Sequence, residues 1–246
     1  MMLLPQDYWE IRNSEGKGRG IFAKKDIESG VIIGDYLGKI IRPDQEEEYD
    51  SGEHFYVMYY HDRASVFPDP KKPGIHLFNH SCAPNCWMYT YRGHTLYFAL
   101  RHIFKGEELT ISYQLSPLDK YCNPCTHYCH CGSVLCFQTM HLSQERYKKW
   151  REFDDYLTKK TERERIRFGK ELQQLDVYPK NIPDNPIYAL FGAKDTYPVS
   201  VPYRSIPSKK AVRNLIRETG RTLALPKMNL KIHGVLDDLL ISEALS

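Results

Sequence analysis

The chain has 246 residues, a formal net charge of +3, 41% hydrophobic and 26% charged residues, and 18 tyrosines. That is a globular composition, not that of a disordered chain. No apolar run approaches the ~18–20 residues of a membrane span, and residues 1–5 are too short for a signal peptide. Seven cysteines without a secretory signal point to metal or catalysis before disulfides, so an intracellular protein with a metal is expected.

In chain order, residues 31–33, 36–41, 55–60 and 65–67 are short β-branched or aromatic runs broken by Gly, Pro and Asp, and they predict strands. One short helix is predicted at 44–49, with acids in its first turn. Residues 86–103 read as a hairpin: Trp87, Tyr89 and Tyr91 alternate, Arg92-Gly93-His94 turns, and Leu96, Phe98 and Leu100 alternate back. Residues 109–113 predict one more strand. From Ser143, Tyr147, Trp150, Phe153 and Leu157 recur at helical spacing among charged residues, which predicts an amphipathic helix. Six prolines between 179 and 207 then forbid regular structure. Ser208 is a candidate N-cap for a helix ending at Gly220, and Val235, Leu236, Leu239, Leu240 and Leu245 suggest a last short helix. The predicted fold class is mostly β, followed by a largely helical C-terminal extension, with a boundary near residue 141.

The charge is unevenly divided. Residues 1–140 carry 14 Lys/Arg against 17 Asp/Glu, a net of −3, and residues 141–246 carry 20 against 14, a net of +6. The acidic half would attract a basic partner. The basic half suits phosphate, acidic protein or an anionic surface, unless both are only solvated faces.

The strongest local chemistry is Cys129-x-Cys131-x4-Cys136, preceded by Cys122-x2-Cys125. Three thiols within eight residues can surround one Zn²⁺, which takes four N or S ligands. The fourth ligand stays open on the residues alone. Cys122 or Cys125 would close a local knuckle, His127 and His130 are loop histidines in reach, and Cys82 or Cys86 would tie the tail to the core.

Asn79-His80-Ser81-Cys82-Ala83-Pro84-Asn85-Cys86 resembles the Asn-His-Ser-Cys-x-Pro-Asn signature of SET-domain protein lysine methyltransferases. Three further segments agree in order. Gly16-Lys17-Gly18-Arg19-Gly20-Ile21-Phe22-Ala23 is similar to the family's opening strand pair. Tyr36-Leu37-Gly38-Lys39-Ile40-Ile41 is similar to its Tyr-x-Gly-x-Val-Ile strand, and Gly106-Glu107-Glu108-Leu109-Thr110-Ile111-Ser112-Tyr113 to its Gly-Glu-Glu-Leu-Thr-x-x-Tyr ending. Residues 129–136 then resemble the post-SET cysteine motif. The resemblance implies a fold of small curved β-sheets with a knot-like C-terminal threading. It also implies a SET catalytic domain over 8–115, a post-SET zinc segment over 116–140, and a basic C-terminal region, 141–246, of unknown role. By the same resemblance the zinc ligands are Cys82, Cys129, Cys131 and Cys136, leaving Cys86, Cys122 and Cys125 spare, with a Cys122/Cys125 site as the rival.

The implied reaction is methyl transfer from S-adenosylmethionine to a lysine ε-amine of a protein, a histone tail or another basic protein being candidate substrates. Localisation would then be cytoplasmic or nuclear and chromosome-associated. Neutralising a lysine of pKa near 10.4 at pH 7 costs roughly 4.6 kcal/mol, which an apolar, tyrosine-lined channel beside a sulfonium would reduce. Tyr113 matches the tyrosine whose phenol oxygen faces the methyl, and Tyr36 one that lines the lysine channel. Asn79 and His80 match the pair that recognises the cofactor, and Lys17, Gly18 and Arg19 the segment that follows it. Tyr56 and Phe137 are weaker cofactor contacts. His76 stands where many relatives have an arginine. Met88 and Ile111 stand where some carry a Tyr or Phe, which leaves room for di- or trimethylation. The acidic run Glu46-Glu47-Glu48-Tyr49-Asp50 could receive a basic peptide. The basic C-terminal region is compatible with nucleic acid. Two other readings remain: a catalytically silent SET-fold peptide-binding protein, and a zinc-dependent nucleic-acid-binding module.

Overall fold

In the computed structural model, β1 (Trp9–Ser14) and β2 (Gly18–Ala23) form an antiparallel pair in which Trp9 faces Ala23 and Ser14 faces Gly18. The turn between them uses Gly16 and Gly18 at positive φ, a conformation glycine adopts without steric cost. The structure describes residues 1–49, 56–82, 84–120, 122–132, 136–144, 147–148, 151, 165 and 169–182.

Three further small sheets follow. β3 (Ile32–Asp35), β9 (His94–Ala99) and β8 (Cys86–Tyr91) form one, with β9 central. β4 (Lys39–Ile41), β6 (Ala64–Phe67) and β5 (Met58–His61) form another, with β6 central. β7 (Asn79–His80) and β10 (Thr110–Ile111) pair in parallel, Thr110 beside Asn79 and Ile111 beside His80. The mostly β class is as the sequence predicts. The helix expected at 44–49 is a 3-10 turn, Pro43–Gln45, running into α1 (Glu46–Tyr49).

The hairpin expected at 86–103 is β8–β9, joined by Arg92 and Gly93 with φ of 49° and 84°, the two-residue turn whose twist matches the strands. His94, expected in the turn, instead begins β9 and is fully buried. The alternating face that the sequence marks, Trp87, Leu96, Phe98 and Leu100, packs with Ile32 and Ile182 into one apolar cluster. The opposite face of β9, including Tyr97 and Ala99, joins the main core with Ile21, Ile33, Tyr36, Phe78 and Ile111.

Residues 169–182 lie against these sheets. Leu172 N–H donates to Gly38 O at 3.0 Å, Ile32 N–H to Lys180 O at 2.9 Å and Ile182 N–H to Gly30 O at 3.0 Å, and Leu172 and Ile182 are buried. This part of the C-terminal region is therefore packed on the β-core. Of the helix expected from Ser143, Gln144, Tyr147, Lys148 and Arg151 are described and helical, and Tyr147 N–H donates to Ser143 O at 2.9 Å. Trp150, Phe153 and Leu157, the two later helices and the Pro-rich stretch beyond 182 lie outside the described residues. Among the described residues no helix is long and apolar enough to cross a membrane.

Candidate active site and thiol clusters

The parallel β7–β10 pair brings together two segments some thirty residues apart in the chain. Asn85 locks them: its Oδ1 accepts Thr110 N–H at 2.8 Å, and its Nδ2 donates to Glu108 O at 2.8 Å. Ser81 N–H donates to Ile111 O at 2.9 Å. Asn85 lies inside the motif quoted above, but the sequence reading gave it no role.

Glu108 is fully buried and gathers polar groups from three segments. It accepts Ser14 Oγ at 2.9 Å, Lys17 Nζ at 2.7 Å and Asn79 Nδ2 at 2.6 Å. Asn79 also donates to Arg19 O at 3.1 Å. Gly20 permits this approach, because a Cβ there would sit 2.4 Å from Glu108 Oε1 and 2.8 Å from Asn79 Nδ2. Lys17 thus ends in a buried ion pair, its side chain 7% exposed, while Gly18 and the body of Arg19 are exposed on β2.

His80 links this web to Tyr113 and to the thiols. Burial pushes its pKa down to about 4, so the ring is neutral. Its Nδ1 accepts Tyr113 N–H at 3.1 Å, which places the ring proton on Nε2, 3.6 Å from Cys82 Sγ. The two rings are 5.4 Å apart, edge to face. Tyr113 is 44% exposed as a residue, yet its hydroxyl end is crowded and donates to Phe78 O at 3.1 Å. Burial, then the Glu108 charge, raise its pKa to about 12.

Tyr36 is buried, and its hydroxyl donates to Tyr56 O. Burial first, then Tyr97, Tyr113 and Tyr56 nearby, hold its phenol well above the ordinary range. The Tyr36 and Tyr97 ring centres are 6.1 Å apart, and Phe78 meets Tyr97 edge-on at 5.5 Å. Tyr97 was not among the predicted site residues, yet it stands inside this aromatic group. Met88 faces Tyr97 across β8–β9, and Ile111 is buried beside His80. Tyr56 presents its ring to His76 at 5.1 Å. His76 Nε2 is buried with no partner among the described residues, and burial lowers its pKa to about 4. Phe137 is 39% exposed, at the edge of the tail.

The tail, residues 115–142, brings two groups of ligand-type atoms together. Cys82, Cys129, Cys131 and Cys136 each place Sγ within 4.8 Å of the others, Cys82 and Cys129 being 3.6 Å apart. Without a cation Cys82 and Cys129 resist ionisation. The Cys131 thiol, opposed by the Cys82 thiol and helped by burial, raises Cys129 to about 12, and Cys129, then Cys131 and burial, drive Cys82 up further. A divalent ion inverts that sign, because it stabilises thiolates. Cys122, Cys125, His127 and His141 form a second such group. Cys122 and Cys125, read from the sequence as spare or as a rival site, lie in this second group. His141 was not foreseen, because the whole Cys129–Cys136 motif separates it from its neighbours in space. Cys86 is a core residue whose thiol faces Asn85 Oδ1 at 3.4 Å.

Of the acidic run, Asp44 is held by Arg42 at 2.9 Å and Glu46 accepts Ser65 Oγ. Asp50 lies outside the described residues.

Residues 18–114 match the SET domain. The chain is 35% identical over 140 residues to histone-lysine N-methyltransferase trithorax of Drosophila virilis, covering 53% of this chain and 4% of that protein. It is 33% identical over 128 residues to histone-lysine N-methyltransferase 2B of Homo sapiens, covering 48% and 5%. It is 33% identical over 138 residues to the H3 lysine-36 specific histone-lysine N-methyltransferase of Cryptococcus neoformans, covering 52% and 16%. The chain thus spans a small part, 4% to 16%, of the length of these relatives.

Proposed function

Given a SET domain at residues 18–114, we propose that the protein transfers methyl groups to a lysine ε-amine of a protein substrate, with S-adenosylmethionine as donor. The observation that carries this reading is the state of the two phenols. Tyr113 and Tyr36 each spend their hydroxyl proton on a backbone carbonyl, Phe78 O and Tyr56 O. Their oxygens are left as acceptors in one aromatic group.

Such acceptors suit both reacting partners. One can accept an amine N–H and hold its lone pair in line. The other can accept the polarised C–H of a methyl next to positive sulfur, a weak but directional contact. S-adenosylmethionine, when bound, supplies that electrophilic methyl. Residues of the chain suited to holding it are Lys17, in the turn before β2, and the exposed Gly18 and Arg19 at its start, with Asn79 and His80 on β7, and Tyr56 and Phe137 at the margins. The fit has a structural sign: His76 Nε2 is a buried polar atom beside Tyr56 without a partner among the described residues.

Tyr36, Tyr97 and Phe78 would form the apolar sleeve that disfavours an ammonium and excludes water, and the substrate amine would release its proton to solvent before transfer. Met88 opposite Tyr97, and Ile111 beside His80, carry no hydroxyl, which favours di- or trimethylation over arrest at one methyl. Cys82, Cys129, Cys131 and Cys136 would hold one Zn²⁺. His80, between Cys82 and Tyr113, would pass the position of that ion to the site.

The relatives named above are histone-lysine methyltransferases, and a histone tail is the substrate we favour. Nuclear or chromosome-associated location would follow from that choice. The test is transfer of labelled methyl from S-adenosylmethionine to core histones, with product masses read on the modified lysine. Transfer lost in Tyr113→Phe supports the reading. Cofactor binding with no transfer to histones or other basic proteins would replace it with the catalytically silent form.

A further inference from the structure

The tail holds more metal-binding chemistry than one ion uses. We propose that Cys122, Cys125, His127 and His141 bind a second Zn²⁺, separate from the four-thiol set, and that this ion fixes the base of the tail.

Zinc bonds of about 2.3 Å to sulfur and 2.0–2.1 Å to nitrogen in a tetrahedron imply edges of about 3.3–3.4 Å between nitrogens and about 3.6 Å between sulfur and nitrogen. His127 Nδ1 and His141 Nε2 are 3.3 Å apart. Cys122 Sγ lies 3.2 Å from His127 Nδ1 and 3.4 Å from His141 Nε2, and Cys125 Sγ lies 3.9 Å from His127 Nδ1. These four edges, with all four ligand atoms within 4.8 Å of one another, have the size of a filled site. Mixed thiolate and imidazole donors in a tetrahedron select zinc among common ions.

A cluster held by hydrogen bonds alone would look different. His127 Nδ1 carries either one proton or one lone pair, yet three ligand atoms face it. One partner could be satisfied in line, and the other two could not. An ion at the centre is approached by all four.

The second independent sign is the outer contact of His141. Its Nδ1 sits 2.5 Å from Ser116 O, the N–H-to-carbonyl bond that metal-bound histidines usually make. That bond fixes the tautomer and leaves the Nε2 lone pair facing the thiols.

The site joins parts of the chain that little else joins. Leu115 and His141 meet in a parallel bridge, Leu142 N–H donates to Leu115 O, and Met140 N–H donates to His127 O. Cys122 and Cys125 lie on the strand exit between the SET domain and the ribbon. His127 and His141 flank the Cys129–Cys136 motif on that ribbon. An ion there clamps the ribbon that carries three of the four thiols of the first set.

The test is metal content and cobalt spectroscopy of the full chain, neither of which depends on methyl transfer. Zinc analysis is expected to give two ions per chain in the wild type and one in Cys122→Ser/His141→Ala. The complementary Cys129→Ser/Cys131→Ser is also expected to keep one. With cobalt in place of zinc, six thiolates on two ions become four on one, so thiolate-to-cobalt absorption per chain falls by about a third in the first variant. His141→Cys, which keeps four ligands, is expected to retain two ions and to gain thiolate absorption, and it guards against a variant that simply misfolds. One zinc in the wild type, or two in Cys122→Ser/His141→Ala, would overturn the proposal. Failure of histone methylation would leave it standing.

Discussion

The SET core and the cysteine tail are held by different forces. The core buries Ile21, Ile33, Val66, Phe78, Leu96, Phe98 and Leu109 almost completely. Among its described residues the tail leaves Leu118, Tyr128 and Phe137 exposed at 57%, 63% and 39%, and those it buries are chiefly Cys129, Cys131 and Leu142. A segment with so little apolar surface to bury cannot offset the entropy of ordering it, and thiol and imidazole ligands on an ion are the usual substitute. With the proposed ions in place, the tail is the part of the molecule that would depend on metal. The side chains proposed for chemistry sit in the core, and His80, beside Cys82, links them to the tail.

The sharpest way to break that comparison is to withdraw metal. A chelator is expected to release the tail amides to hydrogen exchange across residues 115–142 while β8 and β9 stay protected. Methyl transfer is expected to drop by at least about 100-fold, because the ribbon no longer closes beside His80. Loss of protection in β8 and β9 at the same chelator concentration would mean the two regions are one cooperative unit.

Next in size is Tyr113→Phe. Removing the phenol oxygen is expected to lower the transfer rate by roughly 10²–10³-fold, with zinc content unchanged. The hydroxyl bond to Phe78 O contributes about 1 kcal/mol to stability, so a small fall in melting temperature accompanies it. A rate within a factor of three of the wild type would sink the catalytic role.

Glu108→Ala probes the core alone. It leaves the Lys17 ammonium buried and removes the acceptor of Ser14 and Asn79. Unpairing a buried ion in this way costs about 3–5 kcal/mol. Denaturant unfolding is expected to show that loss with the tail's zinc retained. A loss under 1 kcal/mol would mean that Lys17 swings out to water.

Much of the core was legible because its strands follow simple rules. The β8–β9 hairpin announces itself through alternating aromatics and an Arg-Gly turn, and α1 through its acids. Tyr97 was hidden by the same rule. Alternation marks Leu96 and Phe98 as the inner face, but β9 is a central strand covered on both sides, so period two loses its meaning there. The first thiol set could be named only through a family resemblance, since spacing alone left the fourth ligand open. Of the second, the sequence offers Cys122, Cys125 and His127 only as a fourth ligand or a rival to the first set, and it leaves His141 unnamed. Its histidines lie fourteen residues apart and meet because the ribbon folds back, Tyr128 against Thr139, and no local spacing encodes a fold-back.

The smallest effect is in pH dependence, and both limbs come from the site. His76, lowered to about 4 by burial, is neutral in the folded protein, whereas an unfolded histidine protonates near 6.5. Below 6.5 the unfolded chain binds the extra proton, so stability falls as pH drops toward 4. Tyr113, raised to about 12, keeps its proton after an unfolded tyrosine loses one near 10. Stability from it is therefore present below pH 10 and declines as pH rises toward 12. Between these limits the transfer rate is expected to climb with pH as the substrate amine becomes neutral, and Tyr113 ionisation imposes no falling limb below about pH 11. Urea midpoints measured from pH 4 to 11 are expected to form a plateau from about 6.5 to 10. His76→Asn should lessen its acid edge, to which His80 also contributes, and Tyr113→Phe its alkaline edge, to which Tyr36 also contributes. An acid edge unchanged in His76→Asn would mean that the imidazole is already solvated, and the buried polar gap beside Tyr56 would lose its claim to a ligand.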